Sequence, residues 1–249
     1  MRRLLPVLGS IVLALVLWQS IVTIFQLPHY ILPGPLKVAA ALKDNAALIS
    51  EHALTTLIEV FIGLLLGCIL GAGTAILLAY SKRARELFKP MLAFTQALPV
   101  FALAPILTLW LGYGLGSKVA MAVLIIFFPV MSSFLDGLLR TPSGWLDLAN
   151  TMGASERSLL FKIKIPNALP SLAAGIKLAA VYAPIGAVIG EWVGSSSGLG
   201  YLMLLASGRA KVDLMFAAMI VLGIMSVTLY ILVGRLADRF IKRYAGKVQ

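Results

Sequence analysis

Six stretches of this chain, Leu5–Phe25, Thr55–Ala79, Met91–Leu111, Val119–Leu138, Leu172–Val193 and Leu214–Val233, are almost continuously apolar. Each is about 20 residues long, which at 1.5 Å rise per residue is what an α-helix needs to cross a hydrocarbon layer about 30 Å thick. The sequence therefore predicts an all-α, polytopic membrane protein of about six transmembrane helices, with residues 1–249 as a single transmembrane domain. Composition agrees, since 60% hydrophobic and 12% charged residues is far too apolar for a soluble domain. The third stretch contains Pro99 and Pro105. Proline removes a helical donor, so a kinked or broken helix packed inside the protein is expected there.

Orientation follows from the basic residues. Arg2 and Arg3; Lys82, Arg83, Arg85 and Lys89; Arg140, Arg157, Lys162 and Lys164; and Arg235, Arg239, Lys242, Arg243 and Lys247 all fall on one set of connecting segments. The alternate set holds Lys37, Lys43, Lys118, Arg209 and Lys211, with Lys177 at the start of a span. Positive charge marks the cytoplasmic side, so both termini are expected inside. The net charge of +11 is then a consequence of topology and anionic lipid rather than of nucleic acid binding. Arg2-Arg3 precedes an apolar run without a small-x-small cleavage site, so the first stretch is expected to remain as a span rather than be cleaved as a signal. Cys68 is the single cysteine, which excludes an intrachain disulfide, and His29 with His52 offers no metal cluster.

One connecting segment is too polar to cross a bilayer and too regular to be a slack loop. Thr141-Pro142-Ser143 supplies a hydroxyl cap and a proline near a first helical position, after which Trp145, Leu148, Ala149 and Met152 share one helical face. Gly153 is expected to end that helix. Ser155 then caps a second short helix whose apolar face is Leu159, Leu160 and Ile163, with Pro166 as its stop. Residues 139–171 thus predict a helix-turn-helix elbow on the cytoplasmic side.

The elbow resembles the EAA loop of bacterial ABC importer permeases. That pattern is Glu-Ala-Ala, three residues, Gly, nine residues, Ile, one residue, Leu-Pro; here Asp147-Leu148-Ala149, Gly153, Ile163 and Ile165-Pro166 hold its positions. Ala97-Leu98-Pro99, Leu109-Trp110-Leu111-Gly112, Phe127-Phe128-Pro129 and Gly198-Leu199-Gly200-Tyr201-Leu202 extend the resemblance to the permeases of nitrate, sulfonate, taurine and thiamine-precursor importers, with a type I importer-like domain. Thr56-Leu-Ile-Glu59-Val and Gly190-Glu191-Trp192-Val193-Gly194 look most like the hydroxymethylpyrimidine branch. The resemblance implies a permease of the bacterial cytoplasmic membrane that pairs with a second copy. It also implies separate ABC ATPase subunits beneath, and a periplasmic or lipid-anchored solute-binding protein. The coupling contact would use Asp147, Leu148, Ala149, Met152, Gly153, Ala154, Ile163 and Pro166.

Gly112-x-Gly114-x-Gly116 has neither a preceding strand nor a following Lys-Ser/Thr, so the chain contains no phosphate loop and no cofactor is expected in it. Catalytic and metal-binding residues are likewise not expected. Polar groups within spans are costly, which makes Glu59, Gln96, Tyr182 and Glu191 the candidates for a translocation path. An acid at Glu59 suits a neutral or cationic aminopyrimidine better than a sulfonate, taurine or nitrate. Gly63, Gly67 and Gly71, and Gly186 with Gly190, are spaced for close helix packing. A secondary transporter is the competing class; paired inverted repeats or denser intramembrane charge would mark it, and neither is visible.

Overall fold

The computed structural model describes residues 4–245, with the side chains of 4–8, 89, 93, 96–97 and 242–245 left outside the description. The expected cytoplasmic ends with Arg2, Arg3 and Lys247, and the side chain of Gln96, lie outside the described residues.

The described chain is helical, and no strand occurs in it. In order the helices are α1 (Leu4–Ile24), α2 (Pro35–Asp44), α3 (Ala46–Tyr80), α4 (Lys82–Ala97), α5 (Val100–Leu111), α6 (Leu115–Leu139), α7 (Ser143–Thr151), α8 (Glu156–Leu159), α9 (Ile165–Gly194), α10 (Leu199–Gly208) and α11 (Val212–Ala245). A π-helical turn, Leu160–Lys164, joins α8 to α9. Four helices among the described residues are long and apolar enough to cross a membrane: Ala46–Tyr80, Leu115–Leu139, Glu156–Gly194 and Val212–Ile241.

The first expected span is α1. The third is split: Leu98 and Pro99 are extended, and α5 restarts at Val100 with only 12 residues, about 18 Å of helix. Pro99 cannot donate to the α4 ladder and disfavours helix at the residue before it, which is why the break falls there. Helix α10 is an addition to the expected six. Its ten residues are too few to read as a span, yet Leu199, Leu202 and Ala206 are fully buried.

The helices form two compact units. The first contains α1, α2, the start of α3, α10 and the start of α11. In it the Trp18 and Phe216 rings lie 5.8 Å apart, and the Gly198 backbone N–H donates to His52 Nδ1 at 3.0 Å. Gly198 has φ +106°, and that bond fixes the turn from which α10 starts.

The second unit contains the remainder, and α6 packed along α9 is its axis. Val60 and Leu64 of α3, Ala122, Ile126 and Val130 of α6, and Ala179, Ala180, Ala183 and Ala187 of α9 form its core. Small residues allow this approach. A Cβ added at Gly63 would lie 2.5 Å from Ala122 Cβ, one at Gly67 2.7 Å from Ile126 Cγ2, and one at Gly71 2.8 Å from the Phe127 carbonyl oxygen. Gly186 and Gly190 bring α9 against the backbone of Ala122 and Lys118 in the same manner. In lipid such contacts rest on dispersion and tight fit, because hydrocarbon gives apolar side chains no reason to leave it.

Candidate functional site

The elbow is built by local hydrogen bonding. Helix α7 ends in a Schellman motif. Gly153 has φ +78°, its N–H donates to the Asn150 carbonyl at 2.9 Å, and the Ala154 N–H donates to the Ala149 carbonyl at 2.9 Å. The spacing from Ala149 to Gly153 is therefore the spacing this cap needs. Ser155 next accepts the Ser158 N–H at 3.3 Å and starts α8.

Two details differ from the sequence expectation. The Thr141 hydroxyl donates backward to the Leu138 carbonyl at 3.1 Å, so Pro142 rather than a side-chain oxygen precedes α7. Pro166 also does not stop the second helix. The π turn shifts the ladder so that the Ile165 N–H reaches the Leu160 carbonyl, and Pro166 then stands at the start of α9, where a missing N–H costs little.

The elbow exposes its apolar face. Met152 is 79%, Leu148 64% and Trp145 54% exposed, on a segment flanked by Arg140, Arg157, Lys162 and Lys164. Together with Ala149, Ile163, Pro166 and Ile241 they line a groove of about 650 Å³. Asp147 is exposed on α7 and its carbonyl accepts the Thr151 hydroxyl at 2.9 Å. Gly153 and Ala154 belong to the cap rather than to the groove lining.

The four path candidates separate. Glu59 and Glu191 come together from α3 and α9, each only 1% exposed. Their carboxyl groups are in hydrogen-bonding contact, and the Thr56 hydroxyl donates to Glu191 Oε1 at 2.6 Å. Lys118 brings a positive charge to the same cluster while its Nζ donates to the Tyr113 carbonyl at 3.0 Å. Glu59 Oε2 is buried and has no hydrogen-bond partner among the described residues. Tyr182, by contrast, is exposed and lines a separate cleft of about 400 Å³ between α5, α6 and α9. Gln96 lies in α4, just before the break.

The sequence does not mark Lys118, Ser132 or Ser133 as site residues, and Thr56 enters only within the motif around Glu59. Thr56 precedes Glu59 by three residues and so shares its helix face, a signal that was available. In the sequence Lys118 is one charge of a connecting segment, whereas in the structure it is buried, with its ammonium group held by the Tyr113 carbonyl.

The sequence matches the family described as binding-protein-dependent transport system inner membrane components over residues 54–246. This chain is a permease of that family. A probable ABC transporter permease of Haemophilus influenzae is 48% identical to it, over 96% of this chain and 98% of that one. A formylaminopyrimidine transport permease of Halalkalibacterium halodurans is 38% identical over 75% of each, and a riboflavin transport permease of Chloroflexus aurantiacus 36% identical over 96% of this chain and 91% of that one. The fold is also that of a chain from the inward-facing MetNI methionine ABC transporter, with TM-score 0.67 at 19% identity over 81% of this chain and 98% of that one. The permease is thus the multi-pass transport subunit of an ABC importer, and ATPase subunits are implied as its partners.

Proposed function

We propose that this permease imports a thiamine-related pyrimidine precursor, working as a pair of identical chains in the cytoplasmic membrane with both termini inside. A periplasmic or lipid-anchored binding protein delivers the solute, and ATPase subunits seat on the elbow. The exposed Trp145, Leu148 and Met152 face carries this reading. The segment that carries this face is too polar to enter the bilayer, and the exposed apolar side chains form one contiguous groove, for which a protein cleft is the natural cover. Ala149, Ile163 and Pro166 line the same groove, Asp147 is exposed beside it for a basic partner, and Gly153 and Ala154 cap α7 and set the turn.

The substrate rests on the relative named for formylaminopyrimidine. The relative named for riboflavin supports a second nitrogen heterocycle as the alternative solute. A sulfonate, taurine or nitrate is the contrasting class. Uptake of radiolabelled aminopyrimidine, riboflavin and taurine by cells with and without the permease separates them; uptake of taurine alone refutes the heterocycle. Leu148→Asp with Met152→Asp is expected to leave the permease in the membrane and abolish copurification of the ATPase. Undiminished copurification would remove the elbow from the contact.

A further inference from the structure

We propose that the cleft between α5, α6 and α9 is the permease's own solute-contacting surface, and that it takes an uncharged, planar nitrogen heterocycle. The cleft has a volume of about 400 Å³, within the range of small-molecule sites. Three hydroxyls line it, from Ser132, Ser133 and Tyr182. Among the described residues no hydrogen bond engages any of the three.

A fourth polar group comes from the backbone. Pro129 has no N–H, so the Ile125 carbonyl four residues earlier receives no α-helical donor from it, and both residues line the cleft. Phe128 adds an aromatic wall. Spare acceptors, hydroxyls and a ring suit a flat solute that carries amino or ring N–H donors. No Lys, Arg, Asp or Glu lines the cleft, so an oxyanion entering it would lose hydration with no cation in return.

The cleft also leads somewhere. Phe128 and Ser132 line a second cleft as well, which holds Arg85 and Asp136, one charge of each sign, and runs toward Leu139 at the elbow end of α6. A solute passing from one to the other crosses Ser132. Glu59 and Glu191 are not part of this surface; they are buried within the protomer.

The inference rests on the heterocycle reading above, and its test separates the two. The complete transporter, with its ATPase and binding protein, is reconstituted in proteoliposomes and supplied with radiolabelled aminopyrimidine. Tyr182→Phe is expected to raise KM about fivefold, the equivalent of one uncharged hydrogen bond, and Ser132→Trp to abolish uptake, with membrane level and copurification showing that each variant folds. Independently, Ser132→Cys in a Cys68→Ser background should react with a small thiol reagent, and aminopyrimidine should slow that reaction. Wild-type kinetics in Tyr182→Phe and Ser132→Trp, or modification of Ser132→Cys that the solute does not slow, overturns the cleft while leaving the substrate intact. A wild-type transporter that carries taurine but neither aminopyrimidine nor riboflavin overturns the substrate, and the ligand class with it.

Discussion

Gly153 allows the elbow's geometry to be tested apart from its contacts. Its φ of +78° lies in the left-handed region, and a Cβ built there meets nothing within 4 Å. Any effect of substitution therefore comes from the backbone. An ordinary L residue is disfavoured in that region by roughly 1–2 kcal/mol, a β-branched one by about 1–3 kcal/mol, and Asn by less because it visits the region more readily. The expected order of loss is Gly153→Asn, then Gly153→Ala, then Gly153→Val. About 2 kcal/mol is about a thirtyfold change in an equilibrium, so Gly153→Val is expected to weaken ATPase association by roughly that factor if the Schellman bonds of Gly153 and Ala154 are lost. Affinity of the detergent-solubilised permease for its ATPase, measured beside solute uptake, reads this directly. Equal affinity for all three variants would show that the conformation of Gly153 does not set the elbow. A Gly153→Asn as weak as Gly153→Val would point to a steric contact with the ATPase instead.

Gly186→Ala would place a Cβ 2.7 Å from the Ala122 Cα, whereas Gly73→Ala meets open space; the first is expected to destabilise by about 1–3 kcal/mol and the second to be nearly silent, read by thermal melting in detergent. Similar melting of the two would mean that α6 and α9 are not held as closely as described. Glu191→Ala strips the Thr56 hydroxyl and Glu59 of a buried partner at a cost of about 1–3 kcal/mol, while Glu191→Gln keeps an acceptor for Thr56 and should cost less; indistinguishable melting would rule out the hydrogen bond as the cause. In a Cys68→Ser background, Lys43→Cys and Ser207→Cys are expected to react with an impermeant thiol reagent in intact cells and Ser155→Cys is not. The reverse pattern would invert the topology.

What the sequence made legible was mostly local. The Gly153 cap, the Ser155 cap and the break at Pro99 each depend on a few neighbouring residues, and each is present. The running together of α8 and α9 was not legible, because Pro166 reads as a stop unless the π turn ahead of it is known. The Glu59 and Glu191 contact joins α3 to α9 and is decided by tertiary packing, so position within a span gave no hint that the two face each other. Ser132 and Ser133 look like ordinary small residues in an apolar span. Tyr182 on another helix brings a third hydroxyl to the same cleft, and Pro129 beside them offers no N–H to the Ile125 carbonyl.

The π turn has a mechanical consequence. Because it carries the helix past Pro166, residues Glu156–Gly194 form a single rod of 39 residues, about 58 Å from end to end. One end lies in the elbow and the other just beyond Glu191, with Tyr182 between them. A tilt of about 5° over that length carries the far end through about 5 Å, roughly one helical turn. Torque applied at the elbow thus needs no relay of side chains to reach the far side. Its loss en route is set by how stiffly the rod resists bending at the π turn, Pro170 and Pro184.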